Sequence, residues 1–386
     1  MLAIGLMSGT SLDGVDACLV NIKRGKFKLV DFITYPYSED FKKKIMRNLS
    51  NDTAKLAEVS SLNFEIADMF VKAIDVLLEK AGLKYRDISF VASHGQTIWH
   101  DPKGEKCENG VPNTLQIGTA SLISYKTKIK VVSNFRCADI CAGGEGAPLI
   151  PFSEYYLYKS KTKNLVFQNI GGISNLTYIK AKAKMDDVIS FDNGVGNIMI
   201  DYFTNKYFNI PFDKDGEIAF KGKVIDEVLD FLKQDEYIYK PYPKSTGREK
   251  YSKEYMEDLA SKLDFDKYNK EDIVATITEF TAFSIAYSYT HFLSGVDMAI
   301  VSGGGSHNKY LMKRISDLSG ILTITGDDYG INADAKEALG FAVLGYMTLK
   351  KKPSNIKSAT GAKEDVILGD VTYAKWEYRK ANNWKT

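Results

Sequence analysis

Asp192 is the residue in this chain whose surroundings most favour acid–base chemistry. It ends the apolar run 188–191 and opens Asp192-Asn-Gly-Val-Gly-Asn197, so small neighbours leave the carboxylate uncovered. Such a group is either a general base or the N-cap of a helix starting near Asn197. Glu337 reads locally as an acid in the first turn of a helix, where the dipole favours it. Asp13 and Asp16 either hold Mg²⁺ through water or cap a turn. His94 is a strand-end histidine by its local pattern. Arg136, between an aromatic and the glycine-rich run 142–147, suits either carboxylate recognition or an ion pair.

Three loops of small residues accompany these groups. Residues 8–13 (Ser-Gly-Thr-Ser-Leu-Asp) join two apolar runs, where a plain hairpin needs only two turn residues. The segment therefore either offers N–H groups and hydroxyls to an anion or forms an Asx-type turn. Gly171 and Gly172 follow a second apolar run, and Gly303, Gly304 and Gly305 a third. None is a Gly-x-Gly-x-x-Gly fingerprint or a Walker loop. Together, spread over two similar halves, they point to a triphosphate clamped from both sides with a nucleoside beside the last loop.

Composition narrows the field. The chain has 386 residues, too many for one ordinary core, and implies two domains. Its 51 basic and 49 acidic residues leave a formal charge of +2, which gives no electrostatic case for nucleic acid. No apolar run approaches a membrane span. The N-terminus enters a strand pattern with no leader signature. Cys18, Cys107, Cys137 and Cys141 show no metal spacing and read as reduced thiols, so a cytoplasmic protein is expected. The four histidines make no His-Glu-x-x-His pattern, and no protein-built transition-metal site is expected.

The elements that must position these residues are an alternation of strands and helices, hence an α/β class. Strands are expected at 2–7, 14–22 and 27–35. A helix is expected over 52–82, ended by Gly82, then a buried strand at 88–92 with the polar run 94–97 straight after it. A helix is expected near 115–126 and a strand at 130–133. The second half restarts with strands at 164–170, 175–179 and 188–191, repeating the architecture of the first. Residues 298–301 form a strand, 308–318 a helix, and 236–256 an irregular stretch.

The segments Gly5-Leu-Met-Ser-Gly-Thr-Ser-Leu-Asp-Gly-Val-Asp16, His94-Gly-Gln-Thr97, Thr114-Leu-Gln-Ile-Gly118, Phe135-Arg136, Ala142-Gly-Gly-Glu-Gly-Ala-Pro148, Asn169-Ile-Gly-Gly-Ile-Ser-Asn175, Asp192 to Asn197, Lys244-Ser-Thr-Gly-Arg248, Gly303 to Asn308 and Glu337 to Ala342 run in order through nearly the whole chain. In these the sequence resembles the anhydro-N-acetylmuramic acid kinases of the sugar-kinase, actin and heat-shock ATPase superfamily. The resemblance implies two duplicated ribonuclease-H-like α/β domains around a central cleft. Residues 1–127 would form the first, with about 365–386 packing back on it, and 128–364 the second. It implies ATP and Mg²⁺. Gly9, Thr10, Ser11, Leu12, Asp13, Gly14, Val15, Asp16, Gly171 and Gly172 would lie on the phosphates, with Gly303, Gly304, Gly305 and Asn308 near the nucleoside. Asp13 would hold Mg²⁺ through water. It implies His94, Thr97 and Arg136 against the sugar, Arg136 taking the lactyl carboxylate. Asp192 would be the base that activates water, with Glu337 helping to orient it. A homodimer is common in the family.

The chemistry implied is one reaction with two bonds. Water attacks the anomeric carbon of an intramolecular 1,6-anhydro sugar while the freed 6-oxygen is phosphorylated. The phosphoryl group takes the part that a general acid plays in a glycosidase, so one carboxylate base suffices. Four positions depart from the family pattern. Asn134 replaces Asp and cannot be a charge partner for Arg136. Glu145 replaces Gln in the run before Pro148, and Asn193 and Val195 replace Thr and Pro. The rival readings are a kinase for an unsubstituted anhydro sugar such as levoglucosan, an ordinary hydroxyl kinase, and an actin-like ATPase.

Overall fold

The computed structural model describes residues 1–9, 12–247 and 249–374. The chain is α/β and carries two sheets, one in each of two compact units. The first unit comprises residues 1–157 together with the chain from Asp334 onward, and the second is Tyr158–Ala333. The first division thus falls some thirty residues later than the 127/128 boundary read from sequence. The chain returns to the first unit at Asp334, ahead of the expected 364. The cause is visible in the helix Lys336–Leu349, which packs on the first sheet. Of the tail expected to pack back on this unit, 375–386 lie outside the described residues.

In the first unit β1 (Leu2–Ser8), β2 (Gly14–Lys23) and β3 (Lys26–Pro36) form an antiparallel meander. β4 (Ile88–Asp101) joins β1 in parallel, β5 (Asn113–Ile117) pairs antiparallel with β4, and β6 (Val131–Ser133) runs parallel to it. The strand Asp370–Thr372 closes the far edge beside β6. The core is a cluster that includes Ile4, Leu6, Val15 and Val91 from the sheet. Against these lie Ile66, Phe70, Ile74 and Leu77 of the helix Leu56–Ala81. That helix follows the three-and-four spacing of its apolar residues and ends on Gly82 at φ 66°, as read from sequence.

Two expectations fail here. The strand at 88–92 does not stop before the polar run: β4 continues through His94, Gln96 and Thr97 to Asp101. Residues 113–117 are a strand, because Asn-Thr-Leu-Gln-Ile alternates with period two, and the helix is confined to Ala120–Thr127.

In the second unit β7 (Leu165–Ile170), β8 (Ile173–Ile179) and β9 (Ile189–Val195) form a second antiparallel meander. β10 (Met298–Ser302) lies parallel to β7, and β11 (Thr323–Thr325) parallel to β10. The order β3-β2-β1-β4-β6 of the first sheet and β9-β8-β7-β10-β11 of the second agree strand for strand in order and sense. Phe191, Phe203, Phe280, Ile285 and Val301 lie in the core of this unit. The stretch read as irregular contains the short helix Glu236–Tyr239 and the start of Lys253–Lys262.

Candidate functional site

Asp192 stands on β9, half-buried, and is not a helix cap. The helix Asn197–Phe208 starts from Gly196, which has no side chain to offer. Gly196 is there because a Cβ would meet the Gly171 carbonyl oxygen at 2.3 Å. At Asp192 the register of β9 slips. Ser174 faces Gly194 and Asn175 faces Asp192, so Asn193 is the extra residue of a bulge. Bulges re-aim side chains, and this one turns the Asn193 side chain into the core. There its Oδ1 accepts from Gln168 Nε2 at 2.9 Å and from the Ser174 hydroxyl at 3.2 Å. The Asp192 carboxylate is held by one oxygen only. Oδ2 accepts from the Ser245 hydroxyl (3.1 Å) and the Thr246 amide (3.0 Å), and no hydrogen bond reaches Oδ1 among the described residues. Burial lifts the carboxyl above the usual carboxylate range, against the Thr246 and Ser245 hydrogen bonds. Position 192 is thus a tethered carboxylate whose second oxygen has no hydrogen-bond partner among the described residues. Ser245 and Thr246 were not singled out as site residues, although they lie in the quoted Lys244–Arg248 motif.

In the first unit, β4 carries His94 and Gln96 inward. His94 is buried, and Arg136 donates to its Nε2 through Nε (3.2 Å) and Nη2 (2.8 Å). A guanidinium has no acceptor, so Nε2 bears the lone pair and Nδ1 the proton, which goes to the Gly95 carbonyl at 2.9 Å. Burial and the adjacent guanidinium hold His94 well below its ordinary pKa, hence neutral. Nη1 of Arg136 donates to the Gly146 carbonyl at 2.7 Å. Burial lowers Arg136 to about 10, still charged at neutral pH, and Glu337 and Asp139 oppose the shift. These carboxylates, not position 134, balance it. Asn134 turns to Asp370 Oδ2 at 2.7 Å. Asp139 is fully buried and organises the glycine-rich run. Its carboxylate accepts from the Gly146 amide, Asn355 and Thr360. Among the described residues the protein thus takes three of the five N–H groups of Arg136. Thr97 is half-buried on β4, its hydroxyl accepting from Gln116 Nε2 at 3.3 Å.

Glu337 lies in the first turn of Lys336–Leu349, where the sequence placed it. It is solvent-accessible yet crowded by protein, and that crowding raises its pKa first, with Asp16 and Glu154 adding and Lys336 and Arg136 opposing. The helix reaches this position because Gly5 lets it. A Cβ on Gly5 would stand 1.9 Å from the Ala338 carbonyl oxygen.

The first loop splits into backbone and side-chain roles. Thr10 and Ser11 lie outside the described residues. Leu12, at φ 58°, and Val15 bury their side chains in the core, so only their backbones face outward. Gly14 and Val15 already belong to β2, and a Cβ on Gly14 would strike the Tyr35 carbonyl oxygen at 2.2 Å. Ser8 bonds Gln96 Oε1 (2.6 Å) and Tyr37 Oη (2.9 Å), anchoring the strand that leads into Gly9. Sequence reading missed these anchors, because buried Ser and Gln on strands look like solvated faces. Asp13 is exposed. Asp16 accepts from Thr34 at 2.6 Å and is raised chiefly by burial, with Asp334 and Asp13 adding. Among the described residues no group of three His, Cys, Asp or Glu is placed to cage a metal. A pair of neighbouring carboxylates fits a Mg²⁺ that keeps most of its water.

In the second unit the glycines separate by cause. Gly303 is at φ 81° with the Ile170 carbonyl oxygen 2.7 Å from its Cβ position, and Gly305 would meet Ile170 Cγ2 at 2.3 Å. Both are required by the fold. Gly171, Gly172 and Gly304 have ordinary φ, and their nearest Cβ neighbours are at 3.6, 3.8 and 3.5 Å. Neither a positive φ nor packing demands glycine at these three positions. Gly304 and Asn308 line a pocket of about 490 Å³ with Asn197, Asp201, Phe212 and His307, a size that takes a nucleoside. Asn308 also caps the helix Lys309–Ser319, accepting from the Leu311 amide at 2.9 Å. Asp201, raised to about 6 by burial, and Phe212 were not read from sequence.

The family profile described as anhydro-N-acetylmuramic acid kinase matches residues 1–374. The chain belongs to this family of sugar kinases. Relatives that carry the family name include one from Clostridioides difficile (strain 630), 44% identical over 380 residues, covering 96% of this chain and 98% of that protein. Another, from Bacillus cereus, is 41% identical over 384 residues and covers 97% and 99%. A third, from Caldanaerobacter subterraneus subsp. tengcongensis, is 42% identical and covers 96% of each. No helix among the described residues is long and apolar enough to cross a membrane.

Proposed function

We propose that this kinase opens 1,6-anhydro-N-acetylmuramic acid with water and phosphorylates it from ATP, giving N-acetylmuramic acid 6-phosphate and ADP. Family membership supports the substrate class. The observation that carries the mechanism is the half-buried Asp192 carboxylate, fixed through Oδ2, with no partner on Oδ1 among the described residues. Oδ1 accepts a proton from the water that attacks the anomeric carbon. The bond from that carbon to the 6-oxygen breaks, and its electron pair stays on the oxygen, which bonds to the terminal phosphorus as the bond to ADP breaks. The water's second proton stays as the anomeric hydroxyl, and the one on Asp192 leaves to solvent. General-base catalysis of this kind supplies about 10²–10⁴-fold; positioning and electrostatics supply the rest.

Arg136 offers its two remaining N–H groups to the lactyl carboxylate, held in register by His94 and Gly146. Thr97 is assigned to the sugar with them, and Glu337 to the attacking water. Backbone amides of residues 9–16 and of Gly171 and Gly172 take the phosphates, and the pocket beside Gly304 and Asn308 takes the nucleoside. Asp13 and Asp16 would hold Mg²⁺ through water, and the ion supplies charge neutralisation at the phosphates. We infer further that the two units are duplicated ribonuclease-H-like domains of the actin and sugar-kinase ATPase fold, supported by the matched strand order of the two sheets.

The test compares the muramic and unsubstituted anhydro sugars in ¹⁸O-labelled water. Label is expected at the anomeric position of the product, with preference for the muramic substrate. Unlabelled product would remove water as nucleophile, and preference for levoglucosan would overturn the substrate.

A further inference from the structure

Lys244 is buried at 6% exposure, and the fold gives its ammonium a built enclosure. Nζ lies 4.8 Å from the ring centroid of Tyr237, 4.9 Å from Phe292 and 5.6 Å from Phe191. It donates to the carbonyls of Tyr237 and Ile238, each at 3.0 Å. These contacts close residues 237–244 into a ring whose rim holds the Asp192 backbone. The Asp192 amide donates to the Lys244 carbonyl at 3.2 Å. The Asp192 carbonyl accepts from the Tyr237 hydroxyl at 3.0 Å. The two residues after Lys244 bond the carboxylate. Phe191, next to Asp192, stacks on Tyr242 with centroids 5.4 Å apart.

We propose that Lys244 is a positioning residue for the reaction, its ammonium tying residues 237–246 into a clasp that aims the Asp192 carboxylate. This rests on the reading of Asp192 as the base. Enclosure of an ammonium by aromatic faces and carbonyls costs hydration and is sustained by cation–π attraction. A purely structural filler at this place needs no charge.

The charge also acts on Asp192. Burial lowers Lys244 to about 8, with Asp235 and Asp192 opposing and Lys240 adding. Burial raises Asp192, Glu249 adds to that, and Lys244 opposes it. Among the described residues Tyr237 also faces both, itself raised by burial. A base works deprotonated, so activity rises with pH through its pKa. Removing the positive neighbour raises that pKa and moves the acid limb of the rate profile to higher pH.

The experiment measures kcat, both KM values and the pH profile for K244M, K244R and D192N in the full chain. K244M keeps the apolar stem in the cage. It is expected to lower kcat about 10²-fold, to leave the KM for ATP within about twofold, and to shift the acid limb upward by about half a unit or more. K244R, which keeps charge and donors, is expected to hold the limb in place and recover most of the rate. Wild-type kcat and limb in K244M overturn the proposal, as does an equal loss in both variants with no shift of the limb. If K244M does not fold, K244R decides: a 10²-fold loss at unchanged melting temperature overturns the proposal, and a retained rate with the limb in place supports it. D192N separates the two levels. Turnover retained in D192N removes the base and this proposal with it, whereas a dead D192N beside a wild-type-like K244M overturns the clasp alone.

Discussion

Gly5→Ala tests how the first strand places Glu337. The new Cβ would stand 1.9 Å from the Ala338 carbonyl oxygen and 2.8 Å from its carbon, while the Cys18 sulfur at 3.1 Å closes the other side. Contacts of Cβ below 3.0 Å are essentially unknown, so β1 and the first turn of Lys336–Leu349 must separate by about 1.1 Å or more. Ala338 is the residue after Glu337, and the displacement passes directly to that carboxylate. With Glu337 orienting the attacking water as proposed, a misplacement of about 1 Å costs about 10²-fold in rate, equivalent to about 2.7 kcal/mol of barrier. Overpacking also costs about 1–3 kcal/mol of stability. Steady-state kinetics on the anhydro sugar and thermal unfolding of the same preparation read both quantities. A variant that melts lower but turns over within threefold of wild type would show that Glu337 needs no such placement. Unchanged melting and turnover would refute the steric argument itself.

Other consequences can be checked in parallel. Gly171→Ala should fold and melt like wild type but raise the KM for ATP about tenfold, whereas Gly305→Ala, which meets Ile170 at 2.3 Å, should lose stability first; calorimetry with and without nucleotide distinguishes them. His94→Phe leaves Arg136 without its acceptor and should cost about 1–3 kcal/mol and raise the KM for the sugar, while His94→Gln should retain part of both. Because His94 is held below its ordinary value, the native state resists a proton that the unfolded chain accepts. Its contribution is therefore present above about 6.5 and lost as pH falls toward the depressed value; urea titrations of wild type and His94→Phe between pH 7 and 5 should converge. Asp139→Ala removes the acceptor of the Gly146 amide, Asn355 and Thr360. It should lower sugar affinity without changing nucleotide affinity, as isothermal titration would read.

Regular elements were legible where one face is apolar and the other wet. The helix Leu56–Ala81 and the strands of both meanders follow their periods closely. Legibility failed where polar side chains are buried and satisfied by distant partners. The polar run that holds His94 and Gln96 read as following the strand, not continuing it, because their donors, Arg136 and Ser8, lie some forty and ninety residues away. Asp192 was legible as a carboxylate among small residues, but β9 runs past the expected strand end to Val195, and its tether left no local mark, since Ser245 and Thr246 sit more than fifty residues on. The division of the chain into units was displaced for the same reason. Contact between Gly5 and Ala338 joins opposite ends of the sequence and leaves no local mark beyond a glycine in a strand.

That contact also sets an order of events during synthesis. The second unit is one uninterrupted stretch, whereas the first needs its closing helix from beyond residue 333. At roughly 5–20 residues per second, about ten to thirty-five seconds separate the emergence of residue 157 from that of the helix that covers β1 and β4. Throughout that interval the later-born unit can complete itself while the earlier one waits with a bare apolar flank. The nascent polypeptide is then most exposed to aggregation and to chaperones, and a late-made helix covers what the first-made strand began.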